Sequence, residues 1–184
     1  MPKNAVSFVF DDRNLKRFLD DVHNTIVAKA LPSTLNRTMT KFRTQVKRQL
    51  SRRTGIKQKD INDLSRITKA SRARSYASYT LRSRTPNAIR FNARETKTGL
   101  KSRMYRKTVV NTKGFIGNSG ATAFRRTGTK RLPIEPVYGP NVARALGSKV
   151  ARRASAIFIN KTLSDEFSAR YKFFASRINS RKRR

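Results

Sequence analysis

Between residues 31 and 134 the chain carries 27 Lys and Arg against three Asp and Glu. These basic residues are interleaved with the apolar ones that must form the core, so they are not a tail that can hang free. Any fold here has to sort its side chains by face, apolar to one side and cationic to the other. The flanks are milder, with net +1 over residues 1–30 and net +9 over 135–184, for a total of +34. A compact body this basic repels itself, so a polyanion or an assembly must offset the charge. Apolar residues make up 36%. With 11 Phe and 5 Tyr that is enough for a modest core, unlike a disordered basic tail.

The periodicity divides the chain by type. Val6, Phe8 and Phe10 alternate with polar residues, and 1–10 reads as an extended arm or short strand. Asp11 or Asp12 can cap a helix whose face carries Leu15, Leu19, Val22 and Ile26, with Phe18 beside them. Leu31-Pro32 predicts its end, with Ser33 or Thr34 capping a second helix. Leu35, Met39, Phe42, Val46 and Leu50 then form an apolar stripe, backed by Arg37, Lys41, Arg43, Lys47 and Arg48, until Gly55. A third short helix is expected over 57–67.

From about residue 76 the period becomes two. Ala77, Tyr79 and Leu81, then Ile89, Phe91 and Ala93, alternate with polar and basic residues across a turn at Thr85-Pro86-Asn87. The pattern predicts an antiparallel hairpin over 76–94 with one buried and one basic face. Further strands are expected near 104–110, 114–117 and 122–126, with glycines between them. Pro140 suits a helix start, and from Val142 to Ile178 the pattern is helical, as one helix or as two broken at Gly147 or at Ile157-Phe158-Ile159. The expected fold class is α+β: N-terminal helices, an antiparallel β-meander covered on one face, and a long C-terminal amphipathic helix. Residues 11–178 form a single domain on this reading, and 179–184, ending in RKRR, a basic tail.

Several chemistries have no residues to run on. There is no Cys, which excludes disulfide scaffolds, thiolate metal sites and Cys nucleophiles. His23 is the one imidazole, so zinc sites needing several His are excluded and any Ser-His-Asp site would have to use it. It has no nucleophile motif around it. Asp11-Asp12 and Asp20-Asp21 could hold a nuclease metal, but adjacent helical residues face apart, and capping and charge balance account for them. GFIGNSG at 114–120 lacks the GxxxxGK[ST] pattern of a phosphate loop and reads as a tight hairpin. No catalytic residue, metal site or cofactor is expected, and the chain is not expected to be an enzyme. No apolar run reaches the roughly 18 residues of a membrane span, and the N-terminus has no signal-peptide pattern.

That leaves the cations. Natural surfaces mix both signs of charge, and this one does not, which points to contact with a phosphate backbone. The DNA-facing candidates are Arg37, Lys41, Arg43, Lys47, Arg48, Arg52 and Arg53 on the second helix, and Arg82, Arg84, Arg90 and Arg94 on the hairpin. No recognition helix, zinc finger or RNP-type motif is present, so binding would be non-specific and salt-dependent. Subunit-interface candidates are Tyr138, Leu146, Val150, Phe167 and Phe174, more apolar surface than one covering helix requires.

A set of local signatures occurs in order: LNRT at 35–38, GIK at 55–57, GFIG at 114–117, AFRR at 123–126, and RLPIEPVYGP at 131–140 leading into the last helix. Over about residues 25–178 the chain resembles the minor tail protein Z family of tailed phages, which are tail completion proteins. The resemblance implies an α+β tail-completion domain and a virion component at the head-proximal end of the tail, made in the host cytoplasm. It implies a ring around the DNA passage, six-fold by analogy with tail symmetry. Its neighbours would be other neck and tail proteins (tail terminator, tail tube, head completion protein), with double-stranded DNA in the channel. DNA supplies about one negative charge per 1.7 Å of axis. Six such chains would bring more positive charge than the enclosed duplex balances, so part of it must face acidic neighbours or solvent. The competing reading is a free-standing nucleic-acid-binding protein of ribosomal or packaging type, distinguished by whether it co-purifies with RNA or with tails.

Overall fold

The computed structural model describes residues 6–11 and 24–182. The residues 12–23, with Asp12, Asp20, Asp21, His23 and the expected capped helix start, lie outside it. In chain order the described elements are β1 (Val6–Asp11), α1 (Asn24–Thr54), α2 (Gln58–Leu64), β2 (Ser65–Thr68) and β3 (Tyr76–Leu81). A 3-10 helix (Ala88–Phe91) follows, then β4 (Arg94–Thr96), β5 (Gly99–Met104), β6 (Lys107–Asn111), β7 (Gly114–Gly117), β8 (Thr122–Arg126) and β9 (Ile134–Pro136). Two helices close the chain, α3 (Val142–Leu146) and α4 (Lys149–Lys182). The fold is α+β, with N-terminal helix, antiparallel sheets and long C-terminal helix as expected.

The described residues pack as two compact units: Val6, Val46–Leu64 and Arg82–Ser148 form one, and residues 7–11, 24–45, 65–81 and 149–182 the other. The second unit holds a three-stranded sheet in the order β1-β3-β2. Strands β2 and β3 are antiparallel, with Ser65 opposite Leu81 and Thr68 opposite Ser78. Phe42 of α1 is 1% exposed and meets Tyr79 of β3 edge-on at 5.6 Å and Phe158 of α4 at 6.5 Å. Burial pushes the Tyr79 phenol above its usual pKa, while a Ser65 hydrogen bond and the Arg43 charge oppose the shift. Asn36 clamps the backbone of Ala70 at both ends, donating Nδ2–H to its carbonyl at 2.9 Å and accepting its N–H at 2.8 Å.

The first unit holds two antiparallel sheets, β4-β5-β6 and β7-β8-β9. An asparagine organises this unit too. Asn87 accepts the N–H of Ile89, capping the 3-10 helix, and bonds both the N–H and the carbonyl of Ala123 in β8. Gly139 stands where any Cβ would fall 2.1 Å from the buried Phe91 ring. Its N–H donates to Pro86 at 2.9 Å, and Tyr138 forms an isolated bridge to Asn87.

The expectations at Pro32, over 57–67 and over 76–94 need correction, and the choice left open at the C-terminus is decided. Pro32 does not end a helix; it lies inside α1, which runs unbroken over 31 residues. An internal proline costs about 3 kcal/mol, and the buried stripe that continues across it, Ile26, Val27, Ala30, Leu31 and Leu35, offsets that cost. The 76–94 hairpin does not form. Strand β3 is there, but its partner is β2, because the expected third helix stops at Leu64 and turns into a strand. Residues 88–91 form a 3-10 turn instead, whose three-residue period buries Ala88 and Phe91 together. At the C-terminus there are two helices, with the break at Gly147 and none at Ile157-Phe158-Ile159.

Candidate nucleic-acid interface

Of the cations on α1, Arg37 and Lys41 are engaged by Glu166 of α4, an acid only 7% exposed, with Arg37 Nε at 3.4 Å. Arg43 is half-buried near Tyr79. Arg90 neutralises acids of its own unit, reaching Asp60 at 3.5 Å and Asp63 at 3.8 Å. Arg53 donates to the Ala145 carbonyl at 3.3 Å. Lys47 is half-buried and Arg48 exposed, while Arg82 and Arg84 are exposed on the segment after β3. The candidates are therefore divided between the two units, and several already have partners.

The first unit brings a different set together. In β5 the alternation buries Leu100, Ser102 and Met104 and exposes Lys101 and Arg103. Arg94 of β4 sits directly opposite Lys101, and Glu95, the one carboxylate on this sheet, accepts the N–H of Ile116. Like charges facing each other across a sheet are unfavourable unless an anion lies between them and the solvent. On the same strand, Arg103 lines a cleft of about 520 Å3 with Arg52, Arg106, Ser51, Gly55 and Asn92. No described carboxylate pairs with Arg52, Arg103 or Arg106.

The end of α1 builds this cleft. Gly55 takes φ +85°, its N–H closing onto the Ser51 carbonyl at 3.0 Å. The carbonyls freed at the helix end are taken by the β5–β6 turn. Tyr105 N–H donates to Thr54 O at 3.1 Å and Arg106 Nε to Arg52 O at 3.2 Å. Sequence reasoning found Arg52 and Arg94 but missed Lys101, Arg103 and Arg106. The alternation in LKSRM at 100–104 carries the signal, and starting the strand at residue 99 instead of 104 would have found the first two.

Among the subunit-interface candidates, Tyr138 is 60% and Val150 78% exposed, whereas Leu146 is 1% exposed inside the first unit. Phe167 and Phe174 are half-buried on α4, the first against Tyr171 and the second against Phe173. Among the described residues no group of His, Cys, Asp or Glu is placed to hold a metal ion, and no helix is long and apolar enough to cross a membrane.

Residues 13–178 match the family described as prophage minor tail protein Z. No curated protein and no solved structure matches the chain.

Proposed function

The chain belongs to the prophage minor tail protein Z family, and from that premise we propose that it completes the head-proximal end of the tail as a ring around the DNA passage. Membership makes it a minor tail structural protein, a virion component in contact with other tail proteins. The finer reading is that its exposed cations meet the DNA backbone without reading sequence. The observation that carries it is the opposed pair Arg94–Lys101 on β4 and β5 together with the cleft of Arg52, Arg103 and Arg106, none of them ion-paired to a described carboxylate. Arg48, Arg82 and Arg84 extend the same electrostatic role, while Arg37, Lys41 and Arg90 serve to neutralise the chain's own acids. The ring contacts draw on the exposed apolar side chains, Tyr138 in the first unit and Val150 and Ile157, seven residues apart on one face of α4, in the second.

Binding of the full chain to a short mixed-sequence duplex tests the DNA contact. The logarithm of the association constant is expected to fall linearly with the logarithm of salt, by about 0.9 per phosphate neutralised, and equally for duplexes of different sequence. A shallow slope, or strong preference for one sequence, contradicts the reading.

A further inference from the structure

The turn that closes the β5–β6 hairpin is built from residues that suit it poorly. Tyr105 and Arg106 occupy its two central positions with φ 49° and 64°. A two-residue turn with both central φ positive is the place of Asn-Gly, and a bulky pair there is strained. Asn92, also on the cleft wall, has φ 56°. Backbone strain of this kind collects where the surrounding structure holds a residue for a purpose. Here the hold is visible: Tyr105 and Arg106 are tied to the last carbonyls of α1. The tie sets Arg106 beside Arg52 and Arg103, so three arginines line one cleft together with Ser51 and Asn92.

We propose that the cleft of Arg52, Arg103 and Arg106 is a discrete phosphodiester site, which seats one phosphate of the DNA backbone and fixes the position of the first unit on the duplex. A guanidinium presents its donors in a planar fork that matches phosphate oxygens, and several forks around one cleft recognise the group by geometry as well as by charge. The cleft is wider than a single phosphate, which leaves room for the adjoining sugars and for water. Its position continues the Arg94–Lys101 row, because Arg103 belongs to both. The site rests on the reading that this chain meets DNA, and it makes that contact specific to three side chains.

The test compares the full-length wild type with R52Q, R103Q, R106G and, as a control outside the cleft, K130Q, each binding a short mixed-sequence duplex at low salt. Each cleft variant is expected to bind about tenfold more weakly, the effect of losing one charge-assisted hydrogen bond, and K130Q to bind as wild type does. R106G carries a second readout. Glycine adopts the positive φ without strain, which offsets the lost Arg106–Arg52 hydrogen bond, so its thermal midpoint is expected to stay near that of the wild type while its affinity falls. A lowered midpoint with unchanged affinity would make Arg106 purely structural. A duplex with uncharged methylphosphonate linkages is expected to erase the difference between wild type and cleft variants. If the wild type binds and the three variants bind equally well, the cleft site is wrong and the broader DNA contact stands. If the wild type itself ignores the duplex at low salt, both are wrong.

Discussion

Replacing Phe42 with alanine is expected to lower the unfolding free energy by about 3–5 kcal/mol, as for other fully buried aromatic-to-alanine changes. The ring is 1% exposed and stands where α1, β3 and α4 meet. Its edge-on contact with Tyr79 and its approach to Phe158 are both lost, and the space left cannot close without moving a helix off the sheet. Urea denaturation followed by circular dichroism measures the loss. Phe42→Leu, which keeps most of the volume, is expected to cost less than half as much. A loss below about 1 kcal/mol for the alanine variant would mean that these three elements do not share a core.

The second large effect is expected at Gly55. An L-residue held at positive φ costs about 1–2 kcal/mol, and Gly55 sits at φ +85°. The steric problem is greater. A Cβ there would fall 2.3 Å from the backbone carbonyl oxygen of Arg103, and backbone cannot swing aside as a side chain can. Overpacking of this kind adds about 1–3 kcal/mol. Gly55→Ala should therefore destabilise by about 2–5 kcal/mol and also weaken duplex binding, because the strand that gives way carries Arg103. Gly128→Ala makes the comparison clean: its added Cβ would meet only Lys130 N, at 4.0 Å. Equal stability for the two alanine variants would contradict the packing of β5 against the end of α1.

These two positions also mark what could be read from the chain. The stripe Leu35, Met39, Phe42, Val46, Leu50 is visible as spacing, and all five side chains are buried. Gly55 as a helix stop is likewise local, and so are the short strands at 114–117 and 122–126. The local signatures LNRT, AFRR and YGP have structural roles that no spacing rule reveals. Asn36 of LNRT clamps Ala70, Ala123 of AFRR is clamped by Asn87, and the glycine of YGP makes room for Phe91. Each depends on a partner distant in the chain.

The failures have the same origin. Pro32 disfavours a helix locally, but the buried face of α1 decides, and that face is a tertiary property. Ile89, Phe91 and Ala93 alternate like a strand, yet the Asn87 clamp on Ala123 and the Asn92 left-handed turn bend the segment into a 3-10 helix. Strand β2 was hidden behind a helical reading because it takes only four residues, Ser65–Thr68, and gains its hydrogen bonds from β3. The cationic excess was plain from composition. Which cations are engaged by Glu166, Asp60 and Asp63, and which converge at the end of α1, required the fold.

Electron cryomicroscopy of the junction between head and tail in the assembled phage tests the central claim most directly. The account predicts copies of this chain encircling the duplex at the head-proximal end of the tail, with Arg94, Lys101 and Arg103 turned inward and a backbone phosphate seated between Arg52, Arg103 and Arg106. A particle that lacks the chain, or a ring whose Arg94–Lys101 face points away from the DNA, would contradict it.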